Sequence, residues 1–283
     1  MDILKIIETE ILLQNNAPVS EFEELSPSNV HYLIYDTYSE NSPVNYQKVI
    51  DNDTLDKVPL FRIAEDLLKI IEREEFLKLT STGALPRKVV LELYEKKYLT
   101  DDFIESGLYK LNREENCIFI VSTKIVMDLA GITKKVHGKL SLTKKGTSYL
   151  MQVNRQEFFE SFMSTFADKY NWGYHDGYPS NPFGQFGWTF TIYLLGKYGK
   201  DFQFDSFYAE KYINAFPHFL LEIKPDSRTP FEIFKRCYTL RSFERFLEWF
   251  GIVEIQSDVD RFNAKNLEVK STGILNKIFN IDL

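Results

Sequence analysis

Only two cysteines, Cys117 and Cys237, occur in 283 residues. A small secreted scaffold stapled by disulfides needs more, so the sequence points to a reducing compartment, with the cytoplasm as the default expectation. Long apolar runs are absent as well. Nowhere do 18 apolar residues follow one another, so no membrane-spanning helix is expected. The opening Met1-Asp2-Ile3-Leu4-Lys5-Ile6-Ile7-Glu8 carries an acid where a signal peptide carries base, and charges break its apolar residues. Histidine is scarce: His31, His137, His175 and His218 stand singly, which argues against a histidine-rich metal site. There is no Cys-x-x-Cys, His-Glu-x-x-His, Gly-x-Ser-x-Gly, Walker loop or Gly-x-Gly-x-x-Gly. Asp51-Asn52-Asp53 opens like a calcium loop but puts Leu55, Asp56 and Arg62 where the fifth, sixth and twelfth positions need a ligand, a glycine and a glutamate. No cofactor and no metal are expected, and no catalytic residue is assigned.

What is present is a globular composition. Hydrophobic residues make up 44% and aromatics 15%, enough to exclude global disorder and to suggest cores packed with rings. The formal net charge of −7 is unevenly spread. Residues 1–58 hold eleven acids against three bases, whereas the rest of the chain holds 31 bases against 30 acids. Acidity is a property of the N-terminal segment and does not exclude nucleic-acid binding by the body.

Periodicity predicts an amphipathic helix over residues 2–14, with Ile3, Ile6, Ile7, Ile11 and Leu12 at helical spacing. Ser26-Pro27 offers a second helix start, and a third helix from Pro59 carries Ile63, Leu67, Ile70 and Ile71. A strand–turn–helix pattern then recurs three times. It runs Leu77-Lys78-Leu79-Thr80-Ser81-Thr82-Gly83, then Leu140-Ser141-Leu142-Thr143-Lys144-Lys145-Gly146, then Leu267-Glu268-Val269-Lys270-Ser271-Thr272-Gly273. The second and third copies share a lead-in: a helix stopped by Gly131-Ile132 or Gly251-Ile252, then a strand and a hairpin. His137-Gly138 is the two-residue hairpin turn of the second copy. The first copy lacks room for such a lead-in and is partial.

This order resembles the MarR-like winged helix, in which a helix and Gly-Ile/Leu-Val lead into a wing ending Leu-Thr-x-x-Gly. The run from Leu77 to Val90 also resembles a group of uncharacterised bacterial proteins that share Leu-Lys-Leu-Thr…Gly…Leu-Pro-Arg-Lys-Val-Val. That second resemblance implies no function. The expected architecture is α+β and predominantly helical, with tandem winged-helix-like units and short β-hairpin wings. An acidic helical segment spans 1–58, a winged-helix-like domain 59–152, and a helical region with an aromatic loop and a C-terminal winged-helix-like unit 153–283.

Two places carry candidate chemistry. The second wing gathers Lys134, Lys135, Lys139, Lys144 and Lys145 with no acid in residues 132–145, and His137 sits at its tip. Such a ribbon can neutralise phosphates along a nucleic-acid backbone, or its lysines can simply guard an edge strand. The helices before the second and third wings lack the Arg, Asn or Gln set that reads base edges, and the third wing carries Asp258 and Asp260. In the aromatic loop 170–188, Trp172, Tyr174, His175, Asp176, Tyr178 and Trp188 form either a ligand or partner surface or a connector pinned by its rings. Three functions therefore remain in view, in this order: a nucleic-acid-binding or regulatory protein, a protein-interaction scaffold of winged-helix units, and an enzyme centred on His175-Asp176. Membrane is not an expected partner, and oligomeric state is open.

Overall fold

The computed structural model describes residues 3–178, 181–257 and 266–283. Asp258 and Asp260 of the third wing, and Pro179 and Ser180 of the aromatic loop, lie outside the described residues. The architecture is α+β: helices predominate, and the strands form small antiparallel sheets. Two compact units divide the chain. One, here the central unit, comprises Val49–Asn171 with Trp249–Gly251. The other, the flanking unit, comprises Met1–Lys48, Trp172–Glu248 and Ile252–Leu283.

The chain opens with helix α1 (Ile3–Asn16), helix α2 (Pro27–Tyr35) and strand β1 (Val44–Tyr46). Helix α2 starts as the sequence predicts. Ser26 accepts from Asn29 N while the Asn29 side chain accepts from Ser26 N, a reciprocal capping box with Pro27 in the first turn. Helix α1 differs from expectation in one respect: it exists, but none of its residues is buried.

In the central unit come α3 (Asn52–Leu55), α4 (Pro59–Arg73), β2 (Leu77–Lys78), α5 (Arg87–Tyr94), α6 (Asp102–Glu105) and α7 (Ile118–Leu129). The hairpin β3 (Thr133–Val136) and β4 (Lys139–Leu142), then α8 (Lys144–Ser148) and α9 (Arg155–Asp168), complete it. Helix α4 begins with proline, whose missing N–H costs nothing there, and buries Ile63, Leu67, Ile70 and Ile71 at the predicted spacing. Phe61 packs edge-on against Phe158 and Phe159 of α9, with ring centroids 4.9 and 5.3 Å apart. Beside these rings the buried Arg155 guanidinium grips Glu65 through two bonds of 2.7 and 2.9 Å and reaches Asp56 at 2.7 Å. Every charge in that cluster is paired, which is the condition for tolerating it in a core.

The flanking unit resumes with α10 (Trp188–Tyr198), β5 (Gln203–Phe204), α11 (Asp205–Ala215), α12 (His218–Leu221) and α13 (Pro230–Tyr238). A π-helical segment, Thr239–Leu247, continues α13 and leads to β6 (Val253–Gln256), β7 (Glu268–Ser271), α14 (Leu275–Ile278) and β8 (Phe279–Ile281). Strand β8 pairs with β1, Val44 opposite Ile281 and Tyr46 opposite Phe279. Phe243, Phe246 and Leu247 are core residues, as their spacing suggests.

Each unit has a three-stranded sheet built in the same order. In the central unit α4, β2, α5 and α7 precede the hairpin, and the sheet runs β2-β4-β3. In the flanking unit α10, β5, α11 and α13 precede the hairpin, and the sheet runs β5-β7-β6. Gly131 and Gly251 both take positive φ, +68° and +70°, at the end of a helix, where a side chain would be strained. Thr143 N then bonds Ile132 O at 3.0 Å, and Thr272 N bonds Ile252 O at 2.8 Å. The copies beginning at Leu140 and Leu267 thus occupy equivalent places. The copy at Leu77 belongs to the same sheet as the second, as its first strand.

Candidate nucleic-acid interface

The β3–β4 hairpin, the candidate wing, is held by three local devices. His137 and Gly138 both have positive φ, +49° and +73°, the backbone of a tight primed turn whose twist matches the flanking strands. The register sets Thr133 opposite Leu142, Lys134 opposite Ser141, Lys135 opposite Leu140 and Val136 opposite Lys139. At the base, the Thr143 hydroxyl donates to Gly131 O at 2.6 Å and accepts from Gly146 N at 3.1 Å. A Cβ on Gly146 would lie 2.2 Å from Ile132 O, so only glycine lets α8 approach the strand this closely. The Leu-Thr-x-x-Gly motif is therefore a cap plus a close approach.

All of Lys134, Lys135, His137, Lys139, Lys144 and Lys145 are exposed. Among the described residues, no carboxylate lies within ion-pair distance of any of these five lysines. They nevertheless differ in surroundings. Lys145 Nζ donates to Ala130 O at 3.0 Å and to Ser161 Oγ at 2.8 Å, closing the end of α7. Lys135 Nζ lies against Gly83 in the turn after β2. Lys139 Nζ stands 3.9 Å above the Phe76 ring. Lys134 on β3 and Lys144 at the start of α8 project with no such tie.

One lysine of this surface is invisible to a linear reading. Strand β2 pairs with β4 so that Lys78 sits directly opposite Lys139. Sixty residues separate them, and only the sheet order, which the repeat pattern did not give, brings them together.

The helix before the wing offers little to a base pair. Phe119, Ile120, Val121, Ser122, Thr123, Val126 and Met127 of α7 are buried. Its one cation, Lys124, bonds Glu114 Oε2 at 2.6 Å and Gly83 O at 3.1 Å.

The second candidate, the aromatic loop, separates into an inner and an outer part. Trp172 and Trp188 are buried, both against Phe246, with centroids 4.7 and 5.7 Å away. The Asp176 carboxylate turns inward to the buried Arg241, Nε to Oδ2 2.6 Å, and Arg241 also donates to Asn181 O. Arg245 donates to Tyr174 O at 2.9 Å and His175 O at 3.1 Å. His175 is exposed at φ +50°, its ring edge-on to Tyr174 at 4.4 Å. His175 and Asp176, adjacent in sequence, therefore do not face each other, and the histidine gains no orienting carboxylate from its neighbour. Tyr178 is half-buried, and burial pushes its phenol above the usual range although the positive charge of Arg236 opposes the shift. The loop is thus pinned by two indoles and two arginines, and of the candidate rings Tyr174, His175 and Tyr178 stay at least partly accessible.

Among the described residues, no three His, Cys, Asp or Glu side chains gather as for a metal ion, and no helix is long and apolar enough to cross a membrane. Burial pushes the Cys117 thiol well above its ordinary range and the Cys237 thiol up to about 12, so neither is a reactive thiolate at neutral pH.

Comparison with known proteins adds one finding. Residues 56–156 match the family model of the Y4jL N-terminal domain. The match lies inside the central unit and takes in β2, α7 and the whole lysine wing. No curated protein and no solved structure matches the chain.

Proposed function

We propose that the chain is a nucleic-acid-binding protein of tandem winged-helix type, contacting the phosphate backbone through the wing of the central unit. The reading is supported by the order helix, strand, helix, helix, hairpin with the first strand beside the last, which occurs in both units. The observation that carries it is the lysine cluster itself: five exposed lysines, three on the hairpin and two in the first turn of α8, none with a carboxylate within ion-pair distance among the described residues. A row of unneutralised ammonium groups is the electrostatic complement of a polyanion. Lys134, Lys139 and Lys144, all exposed and none tied to a carbonyl, are the principal contacts. Lys135 and His137 flank them, and Lys145 anchors the base of the wing.

Because most of α7 is turned inward and its one lysine is committed to Glu114, recognition is by backbone and not by base edges. The expected behaviour is affinity for duplexes of unrelated sequence, falling steeply between 50 and 200 mM salt. A fluorescence-anisotropy titration of labelled DNA and RNA at both concentrations tests it, and a salt-independent signal or none at low salt rejects it.

The scaffold reading has separate support in α1. Ile3 and Leu13 are 71% and 68% exposed, and a soluble helix seldom leaves that much apolar surface uncovered. A protein partner on α1 is compatible with nucleic acid on the wing.

A further inference from the structure

We infer that the phosphate-contacting surface is not the hairpin alone but the whole outer face of the sheet β2-β4-β3, with Lys78 as an additional contact and duplex nucleic acid as the ligand. This rests on the nucleic-acid reading above and extends it to a residue outside the wing.

Side chains of directly opposed strand residues share a face. Lys78 is opposite Lys139, and Val136 is opposite Lys139 on its other side. Lys134, two residues before Val136, is the diagonal neighbour of Lys139 on that same face. Lys78, Lys139 and Lys134 therefore cross all three strands, and all three are exposed. Like charges placed directly opposite in a sheet destabilise it. Relief would come from an interleaved carboxylate, but among the described residues none lies within ion-pair distance of the three; the nearby Glu74 is bonded to Arg73 at 3.1 Å. The Phe76 ring beneath Lys139 holds one ammonium upright without neutralising it. An unrelieved lysine row is what an anionic ligand would neutralise.

The face also selects among nucleic acids. Single strands are gripped by stacking bases on open aromatic rings. Phe76, beside this lysine row, is 39% exposed, but the Lys139 ammonium stands 3.9 Å over one face of its ring and closes that face to a stacking base. With most of α7 turned inward and Lys124 committed to Glu114, the surface suits a duplex backbone without base readout.

The full chain is titrated against a labelled duplex of about 20 base pairs across 50–200 mM salt, as wild type, Lys78→Gln and the control Lys224→Gln. The surface predicts that Lys78→Gln lowers the slope of log affinity against log salt by about 0.9, the equivalent of one phosphate. Its affinity falls to the same extent on two unrelated sequences, while Lys224→Gln matches wild type. The unliganded Lys78→Gln protein melts at the same or a higher temperature, because a repulsion has been removed. Lower affinity with a lower melting temperature assigns Lys78 a structural role and overturns the inference. Wild-type slope in Lys78→Gln overturns it too, leaving the wing reading intact. Equal or tighter binding of a single strand overturns the duplex assignment. No binding by wild type removes the underlying reading.

Discussion

Gly146 shows how much one residue can carry. A methyl group there meets Ile132 O at 2.2 Å, a distance no real Cβ adopts. Gly146→Ala should therefore destabilise the central unit by about 2 kcal/mol or more, as expected for forcing atoms into a packed site. A urea melt checks this, and an unchanged midpoint would mean the strand and α8 are not in contact as described. Arg241 makes the matching case in the flanking unit. Its guanidinium and the Asp176 carboxylate are both shut away from water, so removing either partner strands the other. Asp176→Ala should cost about 3 kcal/mol, whereas replacing an exposed ion pair such as Arg113–Glu115 should cost almost nothing. Gly146 was legible as part of a recurring motif. The Arg241–Asp176 bond was not, because the 64 residues between its partners carry no signal of pairing. In sequence Asp176 looks like a neighbour of His175, and only tertiary packing turns it inward.

At the scale of elements, the strongest local signals became the elements they promised. Pro59 starts α4, Ser26 caps α2, and Gly131 and Gly251 end helices before Ile132 and Ile252. Replacing Ser26 with Ala removes the hydroxyl half of the capping box, leaving only the backbone N–H of residue 26 on Asn29 Oδ1, and should lower stability by about 1 kcal/mol in thermal or chemical unfolding. The three strand–turn–helix copies were visible, but their arrangement was not. Local pattern gives a strand its faces and says nothing about its neighbour, so that Leu77-Lys78 pairs with Leu140-Lys139 could be learned only from the fold. The same limit hid the sorting of the wing lysines. In sequence they are five equal charges; in the fold, Lys145 is a helix-end tie, Lys139 stands over the Phe76 ring, and Lys134 and Lys144 are exposed without such a tie among the described residues.

For the whole molecule, charge is divided by segment rather than averaged. The acids of the first 58 residues account for the negative balance, and one of them, Glu23, is committed within the flanking unit. Burial works against its ionisation, but Lys211 at 2.7 Å and Tyr198 outweigh that and hold the carboxyl below its usual range. A carboxyl depressed on folding contributes stability above its unfolded value and loses it as pH falls. Acidification below about pH 4.5 should therefore loosen the attachment of residues 20–24, and Glu23→Gln should flatten that part of the stability–pH profile. Global opening has a second reporter. Cys117 and Cys237 are buried and protonated at neutral pH. Alkylation should be slow in native protein and complete in denaturant; fast native labelling of either thiol would contradict the packing around it.

The central claim is that the wing of the central unit meets nucleic-acid phosphates. Its most direct test compares wild type with Lys134/Lys139/Lys144→Glu by fluorescence anisotropy on one duplex at two salt concentrations. Lys145 is kept because its ammonium closes α7. The account predicts wild-type binding that weakens with salt and a folded variant that no longer binds. Equal binding by the variant, or no wild-type binding at low salt, would contradict it.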